Sequence, residues 1–203
     1  MELSSETEKR IIEAAEKIFY LRGKAGASMQ EIADEADITR TSLNYYYRSK
    51  DKLFEAVFRS ALGSFVPHLA RLLRTDISIR EYLPEMITMI IDTMIEKPQI
   101  PVFVLQEISS NPSRMQQIIR EMGIDPQIAI DKFTRDCELE HLPIDPRQVL
   151  MNVLSLGIFP FAAKPIVVSI LYRGDENAYR EAMDKRKELL PPMILESLKN
   201  LET

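Results

Sequence analysis

Apolar side chains recur at helical spacing along almost the whole chain. In the first segment Ile11, Ile12, Ala15, Ile18 and Phe19 fall on one face of a helix expected over residues 5–21, which Gly23 and Gly26 would end. No run of alternating apolar and polar residues bounded by turn residues predicts a strand. The pattern therefore predicts an all-α protein.

The same periodicity predicts later helices over residues 78–96, 99–110, 112–122, 125–140, 145–170 and 175–201. Prolines inside the pattern are expected to modify them, because proline lacks an N–H and its ring clashes with the preceding turn. Pro67 is expected to kink or divide a helix capped by Ser49, and Pro165 to end or bend the apolar helix. The Pro191-Pro192 pair is expected to interrupt the last helix or start its final segment.

Two short helices near the N-terminus are marked by their caps. Ser28 and Glu31 have the spacing of a capping box, which opens a helix through residue 36. Thr39 caps a second helix over residues 40–46, and Asp37 in the turn tolerates the left-handed conformation. Two short helices joined so tightly predict a helix-turn-helix, a shape that many non-binding proteins also contain. We expect a three-helix domain over 1–48 and a second helical domain over 49–203.

The distribution of charge changes this picture. The 203 residues carry a net charge of −5 with a pI near 5.3, so the chain as a whole has no basic field that would attract nucleic acid. Residues 39–52 depart from this average, since four cations and Asp51 give the segment a charge of +3. Any binding to nucleic acid is therefore expected here.

The second short helix has a polar face suited to DNA. Leu43 and one or two tyrosines, Tyr47 among them, can face the core, so the other side chains must point outward. They offer a guanidinium, hydroxyls, an amide and phenols, which bond phosphates and base edges. In the major groove, Arg40 suits guanine and Asn44 suits adenine. The phosphate backbone is assigned to Tyr45, Tyr46, Lys50 and the Ser28 helix start.

The run from Ile11 to Phe58 resembles the N-terminal domain of TetR-family transcriptional repressors. The motifs that carry the resemblance are Ser28-Met29-Gln30-Glu31-Ile32-Ala33, Ile38-Thr39-Arg40, Leu43, Tyr45-Tyr46 and Ser49-Lys50-Asp51-Lys52-Leu53-Phe54. The resemblance implies DNA contacts by Ser28, Thr39, Arg40, Ser42, Tyr45, Tyr46 and Lys50, and Thr41 and Asn44 complete the predicted surface.

Three residues depart from the family pattern. Asp37 and Thr41 stand where the family usually has glycine, and Asn44 stands where the first of two tyrosines is common. The side chain of Thr41 changes the close approach to the DNA backbone at that position. Asn44 is expected to alter base preference.

The resemblance implies that the rest of the chain dimerises and binds a small effector. Apolar faces on the helices near 145–170 and 175–201 are too large to leave in water on a monomer, which predicts a homodimer and a palindromic operator. Methionine and phenylalanine side chains suit an adaptable pocket for a small apolar effector, although such stripes also form plain core. The candidates are Met86, Met89, Met94, Phe103, Phe133, Met151 and Phe159.

Several other functions lack their residues in this sequence. With one cysteine, Cys137, and two distant histidines, His68 and His141, no metal site is expected; no nucleotide motif or catalytic constellation is found, so no cofactor is expected. The uncharged stretch 149–163 is fifteen residues long, short of the roughly 20 that a membrane span needs. The single cysteine and the lack of a signal sequence favour the cytoplasm.

The leading hypothesis is a dimeric, ligand-responsive repressor that binds a double-stranded operator through residues 40–46. One alternative is a helical interaction module whose helix-turn-helix does not touch DNA. A small-molecule-converting enzyme is the other alternative, and it has no recognisable nucleophile with a neighbouring base.

Overall fold

The computed structural model describes residues 2–63, 65–123, 125–141 and 145–197. These residues form α-helices and no strand, which confirms the predicted all-α class. The helices are α1 (Glu2–Gly26), α2 (Met29–Glu35), α3 (Arg40–Tyr46), α4 (Lys50–Leu62), α5 (Phe65–Leu72), α6 (Ile79–Glu96), α7 (Ile100–Ser110), α8 (Pro112–Glu121), α9 (Pro126–Leu139), α10 (Pro146–Ala162), α11 (Lys164–Leu171) and α12 (Glu176–Ser197).

The chain forms two compact units. The first comprises residues 1–64 and 103–118, and the second comprises residues 65–102 and 119–203. The division expected at residue 48 falls inside the first unit. The reason is that α4 packs on α1 and buries Leu53, Val57 and Phe58 completely, so the small N-terminal core includes this helix.

Aromatic packing brings the two segments of the first unit together. Phe19 of α1 meets Phe54 of α4 edge to face, with 5.1 Å between ring centroids. Phe103 of α7 packs on Phe54 at 5.0 Å, on Tyr20 at 5.1 Å and on Phe58 at 5.7 Å. Residues 103–110 therefore complete the core behind the short N-terminal helices.

The second unit is organised around α6. This helix packs on α5, α9, α10 and α12 and buries Tyr82, Leu83, Ile87 and Ile91. Gly157 permits the close approach of α10, because a Cβ there would lie 3.0 Å from Cγ2 of Ile90.

The prolines behave differently from one another. Pro165 was expected to end or bend the apolar helix, and the structure confirms it: α10 and α11 meet at Ala163 with a bend of 77°. A division near Pro67 also occurs, between α4 and α5. The interruption expected at Pro191-Pro192 is wrong, because α12 runs from Glu176 to Ser197. Leu190 and Pro191 are buried there, so packing offsets the two missing N–H donors.

The end of α1 lies later than expected. Gly23 adopts φ 65°, a left-handed conformation that kinks the helix, but a further turn follows and ends at Gly26. This turn places Lys24 and Ala25 beside α4, where they contribute to the site described next.

Candidate DNA-binding surface

The capping box at the start of α2 is present as predicted. The hydroxyl of Ser28 accepts a hydrogen bond from the Glu31 amide at 3.1 Å, and the Glu31 carboxylate accepts one from the Ser28 amide at 3.0 Å. These bonds hold the pKa of the Glu31 carboxyl below its usual value. The side chain of Ser28 remains exposed at this helix start.

The turn between α2 and α3 uses the expected residues. Asp37 adopts φ 52°, in the left-handed region that glycine usually occupies. Thr39 then caps α3 by accepting a hydrogen bond from the Ser42 amide at 3.1 Å. Asp37 therefore supplies the left-handed residue of the turn between α2 and α3.

The outer face of α3 is polar and accessible. Leu43 is fully buried and anchors the helix, whereas Arg40, Thr41, Asn44 and Tyr45 are exposed. Tyr45 is 85% exposed, which is unusual for so large an aromatic side chain on a protein surface. The arrangement presents a guanidinium, a hydroxyl, an amide and a phenol on one short helix.

Other predicted contact residues lie at the border of this surface. Ser42 and Tyr46 are half-buried, and the rings of Tyr45 and Tyr46 meet edge to face at 5.7 Å. Tyr47, which we expected in the core, is only half-buried, and its hydroxyl donates to Glu8 Oε1 at 3.0 Å. Burial raises the pKa of Tyr47, with the Glu8 carboxylate adding to the effect.

Lys50 connects the start of α4 to the end of α1. Its ammonium donates to the carbonyl of Ala27 at 3.0 Å and to that of Ala25 at 3.4 Å. An ammonium has three N–H donors, so one remains available for a phosphate oxygen while these two bonds persist.

An ion-pair cluster behind α4 escaped the sequence analysis. Lys24 lies 3.1 Å from Asp51, and Arg114 of α8 donates to the Asp51 carbonyl at 2.7 Å. Lys24 first, and Arg114 second, hold the pKa of the Asp51 carboxyl below its usual value. Residues 51 and 114 are too far apart in sequence for any local pattern to predict this contact.

The proposed pocket residues are divided between the two units. Phe103 belongs to the core of the first unit, whereas the other six lie in the second. Met86, Met94 and Phe133 are buried and Met89 is half-buried, but Met151 and Phe159 are 50% and 63% exposed.

Cys137 is buried, and burial followed by Asp136 and Glu140 raises the pKa of its thiol to about 11. Among the described residues, no group of three or more potential metal ligands is present. Within the same ranges no single helix is long and apolar enough to cross a membrane. Among these residues, only α10 and α11 taken together are long and apolar enough, and they are bent by 77°.

Comparison with known proteins agrees with this geometry. Residues 11–57 match the family model described as bacterial regulatory proteins, tetR family. The probable HTH-type transcriptional regulator YttP of Bacillus subtilis is 23% identical over 180 residues, covering 85% of this chain and 86% of that protein. TtgR of Pseudomonas putida, an HTH-type transcriptional regulator, is 40% identical over 70 residues, covering 34% of this chain and 33% of TtgR.

The similarity in fold extends beyond the N-terminal helices. The structure of the transcriptional regulator FadR from Bacillus subtilis, in complex with stearoyl-CoA, superposes with a TM-score of 0.66 at 13% identity, covering 92% of this chain and 96% of FadR. The fold and the exposed face of α3 define a helix-turn-helix DNA-binding protein. Residues 11–57 match the tetR family of bacterial regulatory proteins, and over most of its length the chain is similar to an HTH-type transcriptional regulator.

Proposed function

We propose that the protein is a homodimeric repressor that binds a palindromic operator in the cytoplasm and is released by a small apolar effector. The observation that carries the proposal is the outer face of α3, where Arg40, Asn44 and the 85% exposed Tyr45 surround a fully buried Leu43. A buried anchor with polar groups on the opposite side suits a recognition helix in the major groove.

Each contact has a separate role in this proposal. Arg40 reads guanine and Asn44 reads adenine, since these side chains match the base edges in a bidentate manner. The remaining contacts position the protein on the phosphate backbone and carry little sequence information. They are made by Ser28, Thr39, Thr41, Ser42, Tyr45, Tyr46 and Lys50.

Exposed apolar side chains on α10, α11 and α12 support the homodimer. Ile170, Leu171 and Leu189 are 64%, 71% and 63% exposed, and Phe159 and Met193 are also more than half exposed. Such a concentration is costly in water unless another molecule covers it. A second copy would bury the same side chains on both subunits, as a two-fold interface requires.

Analytical ultracentrifugation of a Leu171→Glu variant tests the dimer. A charge at the centre of an apolar interface should shift the population toward monomer. Gln99→Glu adds the same negative charge at an exposed site just before α7 and is the control. A monomeric wild-type chain at micromolar concentration would contradict the dimer proposal.

The proposed effector is a small apolar molecule that binds in the second unit. The FadR structure contains stearoyl-CoA, and this fold therefore accommodates an acyl ligand in that protein. In this chain the methionine and phenylalanine side chains of the second unit, Met86, Met89, Met94 and Phe133, offer an adaptable apolar environment. Effector and operator would weaken each other's binding by the same factor.

A mobility-shift experiment tests DNA binding. The probe is DNA from upstream of the gene that encodes the protein, with polyanionic competitor present. Arg40→Ala should lose about 1–3 kcal/mol of operator affinity and discriminate less between operator and scrambled DNA. Arg120→Ala, an exposed arginine on α8 outside the proposed DNA and dimer surfaces, is the matched control. Wild-type binding that competitor abolishes equally for all sequences would instead favour an interaction module without operator recognition.

A further inference from the structure

The first unit contains a cavity that is separate from the outer face of α3. It has a volume of about 550 Å³, is partly open to solvent, and is lined by the end of α1, the start of α4, and α7. All of its lining residues belong to the first unit, so it does not include the second-unit residues considered for the effector.

One wall of the cavity is aromatic. Phe54 and Phe103 line it, with their ring centroids 5.0 Å apart and their planes inclined by 43°. Gly23 contributes backbone to another wall, and a Cβ at this position would lie 3.7 Å from Oε1 of Gln106. The aromatic wall favours a flat ring, and the other walls are mostly polar, with the Lys24 ammonium 5.0 Å from the centroid of the Phe54 ring.

The cations in the lining already have partners. Lys24 pairs with Asp51 at 3.1 Å, Arg22 pairs with Glu31 at 3.4 Å, and Lys50 donates to two backbone carbonyls. Lys24 and Arg22 are therefore paired with carboxylates, whereas Lys50 is held by neutral carbonyl groups. An anionic ligand would have to compete with these internal partners.

Glu107 is a polar residue of this lining with a buried oxygen atom that lacks a hydrogen-bond partner. The residue is 4% exposed, and its buried Oε1 has no hydrogen-bond partner. A buried carboxylate without a donor costs free energy, and an N–H group supplied by a ligand would remove that cost. Amidinium and related planar cations offer two parallel donors that match a carboxylate.

We propose that this cavity binds an aromatic organic cation, with its ring against Phe54 and Phe103 and its N–H groups donating to Glu107. Because Lys50 lines the same cavity and is a proposed DNA contact, an occupant there would alter operator affinity. This last step rests on the proposed function, whereas binding to the cavity does not.

Benzamidine is the probe, and benzamide and benzoate serve as neutral and anionic analogues of the same shape. Binding to the full-length protein without DNA is measured by ligand-detected NMR titration. We expect benzamidine to bind more tightly than benzamide, and benzamide more tightly than benzoate. Glu107→Gln should lower the affinity for benzamidine at least tenfold, because the hydrogen bond is no longer assisted by the charge of a carboxylate. Glu6→Gln, at an exposed site on α1, should leave binding unchanged.

Ser110→Trp provides an independent test that leaves Glu107 intact. Ser110 is exposed and lines the cavity, so an indole should fill the space and abolish binding. Tightest binding by benzoate, equal binding by Glu107→Gln, or undiminished binding by Ser110→Trp would each overturn the proposal. A mobility-shift experiment with the unliganded protein tests operator binding separately. A failure to bind benzamidine would therefore leave the proposed operator binding intact, and the reverse also holds.

Discussion

Lys50→Met should change how DNA binding depends on salt. The lysine lies at the border of the α3 surface, where two of its N–H donors hold the carbonyls of Ala25 and Ala27 and the third remains for a phosphate. Each neutralised phosphate contributes a slope of about −0.9 to the plot of log affinity against log salt. The substitution removes two cations from a dimer, so the slope should become shallower by about 1.8.

The magnitude is large enough to measure. Between 50 and 200 mM KCl, a slope difference of about 1.8 corresponds to roughly a twelvefold smaller loss of affinity for the variant than for the wild type. Fluorescence anisotropy with a labelled operator, repeated at four salt concentrations, gives both slopes. Thermal unfolding of the variant checks that losing the two carbonyl contacts has not unfolded the N-terminal unit.

Lys97→Met is the control, because Lys97 directly follows α6 in the second unit and lies outside the proposed DNA surface. Lys97→Met should change neither the slope of log affinity against log salt nor the affinity for the operator. An unchanged slope in Lys50→Met, or an equal change in both variants, would refute the assignment of Lys50 to a phosphate.

Three further outcomes follow from burial. Leu43→Ala should destabilise the protein by about 2–5 kcal/mol, measured by urea unfolding, because Leu43 is fully buried and anchors α3; a smaller loss would mean that the site collapses around the gap. Lys132→Met should lower the free energy of unfolding by about 3–5 kcal/mol, because Lys132 and Asp136 form a buried ion pair at 3.1 Å. Adding Asp136→Leu to this variant should recover much of the loss in the same assay. Cys137 should react with a thiol reagent at pH 8 far more slowly than free cysteine, because the thiol is buried and its pKa is raised to about 11; rapid reaction of the folded protein would contradict its burial.

Local signals in the sequence were sufficient to predict the helix-turn-helix. The spacing of Ser28 and Glu31, the cap at Thr39 and the isolated apolar Leu43 each act within one or two turns of chain. The hydrogen bonds they predict are present in the structure. Many helix boundaries were also predicted from local signals, because caps and prolines close to each end set them.

The passage of α12 through two prolines shows where local rules are insufficient. Proline lowers helix stability wherever it removes a backbone donor, but burial of the surrounding face can exceed that cost. Leu190, Pro191 and Ile194 are buried in the second unit, and only the packed partner helices reveal this. The extra turn of α1 after Gly23 likewise depends on contacts with residues remote in sequence.

The sequence by itself determined the helical class, the helix-turn-helix and the polar face of α3, because caps and periodicity act between neighbouring residues. Only the tertiary structure decided that residues 103–118 join the N-terminal core, that Arg114 reaches Asp51, and that Glu107 lies unpaired in a cavity. These features join segments about 50 or more residues apart. Packing and burial select such contacts across the whole fold, and no short-range pattern records them.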